Sequence, residues 1–211
     1  MKKKLSLTKQ KIKNSAIILF NEGDTLSITT NHIAAKAGIS SGNLYYHYKN
    51  KEDILVDIYL DMSEKFESFE SFDTILTSEN PLKSLYEMYD VYGELFWEFR
   101  FLMRDSVVLM RLNPKLKEMF LERQTKRIFQ IESLINYFVS KEIFTDIPKQ
   151  EISLRAKLNW FISAYWQTFV STDDELTKES IKEIKDIVFT INIYPFLTDK
   201  GKLLAKEFKK E

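Results

Sequence analysis

Apolar residues recur every three or four positions through most of the chain, which is the spacing of amphipathic α-helices. Residues 7–22 form the first such segment, and Gly23 ends it. Its apolar face consists of Ile12, Ala16, Leu19 and Phe20. The same spacing predicts helices over residues 51–72, 80–101, 113–140, 150–171 and 178–194, with a short helix between 101 and 112. No segment reads convincingly as a strand, so the pattern predicts an all-α fold.

Local signals mark the ends of several of these helices. Asn80-Pro81 and Asn113-Pro114 each combine a capping side chain with a proline at the first helical position, and Pro195 closes the last helix. Only five Gly and four Pro occur in 211 residues, which favours long uninterrupted helices. With 44% hydrophobic residues, a chain of this length can bury a sizeable core.

The segment from residue 29 to residue 51 predicts two short helices joined by a tight turn. Thr29 or Thr30 can cap the first helix with its hydroxyl. Gly38 stands where that helix must end in a left-handed turn, which suits a residue without a Cβ atom. Ser40 or Ser41 can then cap the second helix.

The second of these helices carries more aromatic surface than one core can bury. Tyr45, Tyr46, His47 and Tyr48 are consecutive, so on a helix of about 3.6 residues per turn they cannot all face inward. Leu44 and Tyr48 lie four apart and are expected to point into the core. The residues left on the outer surface are Ser41, Gly42, Asn43, Tyr45, Tyr46 and His47. Such a surface fits the phosphates and base edges of DNA, with the helix lying in the major groove.

Residues 28–55 read ITTNHIAAKAGISSGNLYYHYKNKEDIL, which resembles the DNA-binding signature of the TetR/AcrR family of bacterial transcriptional regulators. Tyr48 replaces the usual Phe and Ile39 the usual Val, and both changes are conservative in packing. The resemblance is specific over residues 8–60. The ending at residues 193–201 is similar to the tail of one branch of this family.

The resemblance implies an N-terminal three-helix helix-turn-helix DNA-binding domain, residues 1–51, and a C-terminal helical bundle for ligand binding and dimerisation, residues 52–211. Lys51 resembles the family's phosphate-binding lysine. Family members pair through two C-terminal helices, which implies a homodimer on a palindromic double-stranded DNA operator. A dimer also adds the contacts that one small helix-turn-helix lacks.

Side-chain chemistry suggests a role for each exposed residue of the DNA-binding segment. The Asn43 amide can pair with adenine through two hydrogen bonds, and Gly42 lets the backbone approach the groove. Phosphate contacts are expected from Thr29, Thr30, Tyr45, Tyr46 and His47. Alternatively, His47 is an ordinary surface histidine; His32 is expected to take no part in DNA binding.

The net charge of zero conceals two halves of opposite sign. Residues 1–53 hold nine lysines and no arginine against four acidic residues, a balance of +5, so the remainder carries −5. A basic end on an acidic body orients a protein towards a polyanion, although Lys2, Lys3 and Lys4 alone are as readily explained as solvated charges.

Sequence features also predict the cellular compartment of the protein. The absence of Cys excludes disulfides and thiolate metal sites. No signal peptide and no uncharged stretch of 18 residues occur, so a cytoplasmic protein without membrane contact is expected.

Large side chains are concentrated between residues 86 and 103 and between residues 160 and 169. They predict either an ordinary bundle core or a cavity between helices for a bulky, largely apolar effector. The candidate ligand-binding residues are Tyr86, Tyr89, Trp97, Phe101, Arg104, Asn159, Trp160 and Trp166.

The last two long helices are the candidates for the dimer interface, because they are more apolar than a solvent-facing bundle needs. The apolar positions are those of residues 154–169 together with Ile184, Ile187, Val188, Ile191 and Ile193. The alternative is that these side chains belong to the internal core.

Catalytic signals are weak. Two His, no Cys, no Gly-rich phosphate loop and no Glu-x-x-His pair leave no catalytic or metal-binding set and no indicated cofactor. The sequence therefore does not favour an enzyme, and the resemblance to the TetR/AcrR family implies a ligand-released transcriptional repressor. The alternatives are an activator or global regulator on the same scaffold without an inducer, and a helical protein-interaction module.

Overall fold

The computed structural model describes residues 7–69, 72–173 and 175–209, and this part of the chain is almost entirely helical. Its α-helices, in chain order, are α1 (Leu7–Glu22), α2 (Thr30–Lys36), α3 (Ser41–His47), α4 (Lys51–Phe69), α5 (Phe72–Thr77), α6 (Pro81–Glu98), α7 (Arg100–Arg104), α8 (Ser106–Leu112), α9 (Pro114–Ser140), α10 (Lys149–Val170), α11 (Lys178–Val188) and α12 (Asp199–Lys206). The one β-feature in the described ranges is an isolated antiparallel bridge between Phe144 and Leu197. The all-α prediction is confirmed.

Helices with clear end signals match the sequence predictions closely. Helix α9 begins at Pro114, and the Asn113 side chain accepts a hydrogen bond from the backbone N–H of Leu116 at 3.1 Å. Asn80 caps α6 in the same way. The helix predicted to reach Phe101 instead ends at Glu98, because the backbone of Phe99 leaves the helical region (φ −110°, ψ 29°) and α7 follows.

Several elements differ from the sequence predictions. The short helices α5 and α12 were missed, since six- and eight-residue helices depend on packing more than on propensity. The last predicted helix, 178–194, becomes α11, a π-helix at Phe189–Ile193 and a 3₁₀ turn at Tyr194–Phe196. The predicted end of α4 at residue 72 falls across residues 70 and 71, which lie outside the described ranges.

The helix-turn-helix segment forms as its capping residues predict. The Thr29 hydroxyl accepts a hydrogen bond from the backbone N–H of His32, and the His32 ring accepts one from the backbone N–H of Thr29. His32 thus closes a capping box. Gly38 has a φ of +62°, the left-handed turn expected of it, and Ser40 caps α3.

Helix α4 contributes to two parts of the core. Ile54 and Ile58, near its start, are fully buried in the same core as the inward side chains of α1. Further along, Phe66 packs against Tyr92 of α6, with ring centroids 5.1 Å apart. Because one continuous helix carries both sets of contacts, no flexible tether separates the two parts, and the division at residue 51 stays a prediction.

Beyond α4 the chain forms a bundle. Helix α10 packs on α9 and α11, α11 packs on α6, and α7 lies against both α1 and α10. The C-terminal helix α12 packs on α6. The Asn80 amide donates hydrogen bonds to the carbonyl of Leu204 and to the Glu207 carboxylate, which fastens the C-terminus to the start of α6.

The glycines at 201 and 93 give a matched test of this packing. A Cβ atom at Gly201 would overlap the backbone carbonyl of Ile143 and lie 3.0 Å from Leu197 Cδ2, so Gly201→Ala should lower the free energy of unfolding by about 1–3 kcal/mol. At Gly93, within α6, a Cβ atom meets nothing within 4 Å, so Gly93→Ala should raise it by about 0.5–1 kcal/mol. Urea unfolding measures both. Equal effects of the two variants would contradict the α12 docking.

Candidate DNA-binding face and internal cavity

The exposed face of α3 is the candidate DNA-binding face. Leu44 is fully buried and Tyr48 is 4% exposed, as the sequence predicts. Tyr45 and Tyr46 are 51% and 84% exposed. The other outward residues are Ser41, Gly42 and Asn43, which are exposed, and His47, which is half-buried.

Hydrogen bonds between exposed side chains connect α2 to α3. The hydroxyls of Thr30 and Tyr45 lie 2.9 Å apart, and the Ser41 hydroxyl donates to Asn31 Oδ1 at 2.8 Å. A Cβ atom at Gly42 would have only the Ser40 Oγ within 4.0 Å, so the backbone there is open to a close approach. The face is therefore polar, aromatic and held in place before any partner binds.

Lys51 has a structural role that the sequence did not reveal. Its ammonium group donates to the carbonyls of Thr25 and Leu26, at 2.9 and 3.0 Å, and so fixes the loop after α1 against the start of α4. Two of its three donors are used in this way, which leaves one for a phosphate. Its phosphate contact stays a prediction, as do the other DNA contacts.

A buried ion pair beneath this face joins α1 to α4. Lys13 of α1 is fully buried and contacts Asp61 and, at 3.8 Å, Asp57 of α4. The Tyr48 hydroxyl donates to Asp57 at 2.6 Å. Burial, followed by this carboxylate, raises the pKa of Tyr48. The residue that ends the recognition helix is thus tied to α4 through a charged network.

An internal cavity lies between α4, α6, α9 and α10. Water-sized molecules have access to about 90 Å³ of it. This is room for several waters, so the open space is narrow. Three of the predicted ligand residues line it: Tyr89, Asn159 and Trp160. The Tyr89 hydroxyl donates to Asn159 at 3.2 Å, and burial raises the pKa of Tyr89 to about 12.

Tyr86 and Trp97 do not line this cavity. The Tyr86 hydroxyl donates to Asp186, and its ring packs against Phe208 at 5.0 Å. Trp97 stacks on the guanidinium of Arg100, 4.1 Å from the ring centroid. Both aromatic side chains pack on their own neighbours instead, which periodicity alone cannot distinguish from cavity lining.

Phe101, Arg104 and Trp166 also lie elsewhere. The Phe101 ring packs on Phe20 of α1, 5.0 Å away, and the Trp166 indole donates to the carbonyl of Ser180 at 2.7 Å. Arg104 donates to the carbonyls of Phe20 and Gly23, at 3.0 and 2.8 Å, and pairs with Asp105. Phe101 and Arg104 therefore join the bundle to α1.

The cavity is lined instead by polar residues of α9 and of the π-helix. None of these residues was predicted from the sequence. Arg123 and Arg127 stand one turn apart on α9, and Asn192 comes from the π-helix. The Oδ1 atom of Asn192 and the Nε1 atom of Trp160 are buried, and within the described residues neither has a hydrogen-bond partner. The sequence signal that could have indicated the two arginines is their position, one turn apart among the apolar residues of α9. No cluster of His, Asp or Glu in the described ranges is suited to a metal ion.

Two family models match the chain. Residues 12–58 match a model described as bacterial regulatory proteins of the tetR family, and residues 67–204 match the TetR model described as a bacterial transcriptional repressor. The second match alone spans more than half of the chain. The protein belongs to the TetR family. Members of this family are transcriptional regulators, so the prediction that the chain is not an enzyme is confirmed.

Three solved structures, two of them described as TetR-family regulators, share the whole architecture. One from Marinobacter aquaeolei VT8 is 26% identical with a TM-score of 0.81, and the match covers 94% of this chain and 96% of that one. One from Mesorhizobium loti is 16% identical with a TM-score of 0.66, covering 93% and 100%. A SmeT–triclosan complex is 17% identical with a TM-score of 0.62, covering 92% and 93%. No curated protein sequence matches the chain.

Within the described residues, none of the helices of this TetR-family protein combines the length and the apolar character needed to cross a membrane.

The Arg104 contacts lead to a test of how the DNA-binding helices are held. Arg104→Met removes the hydrogen bonds to Phe20 and Gly23 and leaves Asp105 without its guanidinium partner. We expect the free energy of unfolding to fall by about 2 kcal/mol, since hydrogen bonds of a charged group are lost. Arg111→Met, at an exposed position on α8, is the control and should change it by less than about 0.5 kcal/mol. Urea unfolding measures both variants. Similar losses of the free energy of unfolding would refute the proposal that Arg104 anchors α1 to the bundle.

Proposed function

We propose that this TetR-family protein is a repressor that binds a palindromic operator as a homodimer and leaves it when a small molecule enters the internal cavity. The observation that carries the DNA-binding part is the exposure of Asn43, Tyr45 and Tyr46 on α3, while Leu44 and Tyr48 hold that helix on the core. An amide near the start of a recognition helix suits base readout, and hydroxyl groups suit phosphate.

Dimerisation is supported by a row of exposed apolar side chains on α10. The row consists of Leu154, Leu158, Phe161 and Phe169, which follow one another at four-, three- and eight-residue steps. Phe161 and Phe169 are 60% and 65% exposed. Large apolar side chains exposed along one helix face are typical of an interface. The residues proposed from the next helix contribute less, because Ile184, Val188 and Ile193 are buried and only Ile191 is exposed, at 48%.

Phe161→Glu tests this interface. A charge at the centre of the apolar row should shift the protein from dimer to monomer in sedimentation at micromolar concentration, because burying an unpaired carboxylate is costly. The control is Phe129→Glu, at a position on α9 that is slightly more exposed, at 68%. A dimer that survives Phe161→Glu but dissociates with Phe129→Glu would place the interface on α9 instead.

The ligand-responsive part is supported by the position of Met103. This residue lines the cavity, and the next residue, Arg104, holds the end of α1. A ligand that moves Met103 therefore acts directly on the element that orients the DNA-binding helices. The ligand binds one of two conformers more tightly and shifts the protein towards it. In that conformer the two recognition helices of the dimer have a different separation. The SmeT–triclosan complex is a fold relative that binds a small molecule, which agrees with this use of the bundle.

DNA binding is tested with the duplex upstream of the protein's own gene. Affinity should fall steeply as salt rises, because several phosphates are neutralised. Asn43→Ala should reduce the preference for this duplex over random DNA by about 1–3 kcal/mol, the discrimination that one bidentate base contact provides. Asn136→Ala, at an exposed position on α9, is the matched control and should leave binding unchanged.

One outcome would contradict the proposed specific operator, and another would contradict the role given to Asn43. Equal affinity of the unaltered protein for random duplex would refute a specific operator. An unchanged preference in Asn43→Ala would remove Asn43 from base readout while leaving the phosphate contacts open.

A further inference from the structure

Two polar groups in the cavity lining lack hydrogen-bond partners. They are the indole Nε1 of Trp160 on α10 and the amide Oδ1 of Asn192 in the π-helix; both atoms are buried, and neither has a partner among the described residues. The other buried side-chain atoms without a partner in the described ranges belong to Ser106 and Gln167, which do not line the cavity. The two groups are complementary in kind, because an indole only donates and a carboxamide oxygen only accepts.

The orientation of the Asn192 amide leaves its oxygen for a ligand. The Nδ2 atom donates to the carbonyl of Arg155 at 3.5 Å, a long hydrogen bond, and the side chain is 6% exposed. Turning the amide over would bring two acceptors together. Arg155 and Trp160 are five residues apart on α10, about 7.5 Å along its axis, so both unpartnered groups lie on the α10 side of the cavity.

These two groups limit what the cavity binds well. Buried polar groups are almost always paired in folded proteins. The cavity has room for several waters, and waters can serve both atoms when no ligand is bound. A ligand that displaces such waters loses affinity unless its own atoms replace their hydrogen bonds. A tightly bound ligand therefore has an acceptor next to Trp160 and a donor next to Asn192.

The charged residues of the lining already have acidic partners in the protein. Arg155 is bound to Glu151 through two hydrogen bonds of 2.9 and 2.6 Å. The Glu67 carboxylate interacts electrostatically with both Arg123 and Arg127, and the two guanidinium groups make further interactions in the protein. A charged end group on a ligand would compete with these interactions and would also lose its hydration. The lining therefore favours an uncharged ligand.

Most of the remaining lining is apolar. It includes Met62, Met88 and Met103 and aromatic rings such as those of Phe66 and Phe120. Methionine side chains are unbranched and flexible, so such a lining adapts to the shape of an apolar molecule. The cavity thus combines apolar walls with one donor and one acceptor on the α10 side.

We propose that the cavity takes an uncharged, largely apolar molecule whose polar end is an acceptor–donor group such as a primary amide, accepting from Trp160 and donating to Asn192. The inference rests on the proposed ligand-responsive function and names its ligand class. A primary amide carries an acceptor and a donor on neighbouring atoms, so one end group can serve both atoms of the lining. A ketone leaves the Asn192 oxygen unpaired, and a carboxylate places a negative charge near it.

Three probes that share a heptyl chain on a carbonyl carbon test this class: octanamide, octanoate and nonan-2-one. The remaining substituent is NH₂, O⁻ or CH₃, so the size is nearly constant while the donor or the charge changes. Calorimetry on the full-length protein near neutral pH, without DNA, measures their affinities. We expect octanamide to bind about 10-fold more tightly than either of the others, because a buried acceptor left unpaired is costly. Equal affinities, tighter binding of octanoate or nonan-2-one, or no binding of octanamide would overturn the proposal.

Variants attribute the preference to the two side chains. Asn192→Leu removes the acceptor and should bring the ratio of octanamide to nonan-2-one affinity to near one. Trp160→Phe keeps a ring but removes the donor. It should weaken both probes about 5-fold and leave their ratio unchanged, because both present a carbonyl oxygen. The matched control is Trp166→Phe, whose indole donates to the Ser180 carbonyl outside the cavity, and it should change neither affinity.

Each variant can contradict the assignment. An unchanged ratio in folded Asn192→Leu would remove Asn192 from the site, and unchanged affinities in Trp160→Phe would show that the indole does not contact the ligand. Either result overturns the proposal. Trp160→Phe breaks no hydrogen bond within the described residues, so its result decides the matter if Asn192→Leu does not fold.

A parallel DNA-binding assay separates this inference from the proposed function. Octanamide that binds with the expected preference but does not release DNA supports the ligand class and contradicts ligand-controlled repression. Nonan-2-one that binds as tightly as octanamide and releases DNA overturns the ligand class and supports the repressor.

Discussion

A guanidinium group at the carbonyl end of α1 joins the two halves of the structure. Arg104 donates to the carbonyls of Phe20 and Gly23, where the helix dipole is negative. Asp105 holds this guanidinium through two hydrogen bonds and also accepts one from the buried Thr25 hydroxyl at 2.6 Å. Arginine, aspartate and threonine thus satisfy one another at the boundary, and the DNA-binding helices acquire a fixed direction relative to the bundle.

The Arg104 contacts make the short helix α7 a mechanical link between α1 and the bundle. Phe101, at its start, is buried against α1, while Met103 lines the cavity two residues later. The hydroxyl of Thr168 on α10 donates to the carbonyl of Met103 at 2.9 Å, which attaches α7 to the bundle. Helix α4 forms the second connection, through its buried network with Lys13. A displacement inside the cavity has two rigid routes to the DNA-binding face and no flexible linker to absorb it.

Sequence reasoning succeeded where a feature is local and failed where it depends on docking. The Asn113 cap, the left-handed Gly38 and the inward Leu44 follow from neighbouring residues alone, and the structure agrees with all three. Arg104 was assigned to the cavity because its neighbours are apolar, yet Phe101 packs on α1 and the Arg104 guanidinium binds the carbonyl end of that helix. The cavity arginines at 123 and 127 were missed because charged residues on a helix usually face water. Only the packing of α9 against α4 and α10 shows that this face is internal.

The narrowness of the cavity and the position of Met103 have one consequence for control of DNA binding. A ligand can shift an equilibrium only by its difference in affinity between two conformers. The conformer described here offers little open space, and that space is bounded by Met103 at one place and by the desolvated Arg127 at another. A ligand too large for this space would bind better to a conformer in which Met103 has moved. Because Arg104 follows Met103 directly, that conformer is also the one in which the carbonyl end of α1 is held differently. In the proposed mechanism, the affinity for the ligand and the orientation of the recognition helix are then set by the same few residues.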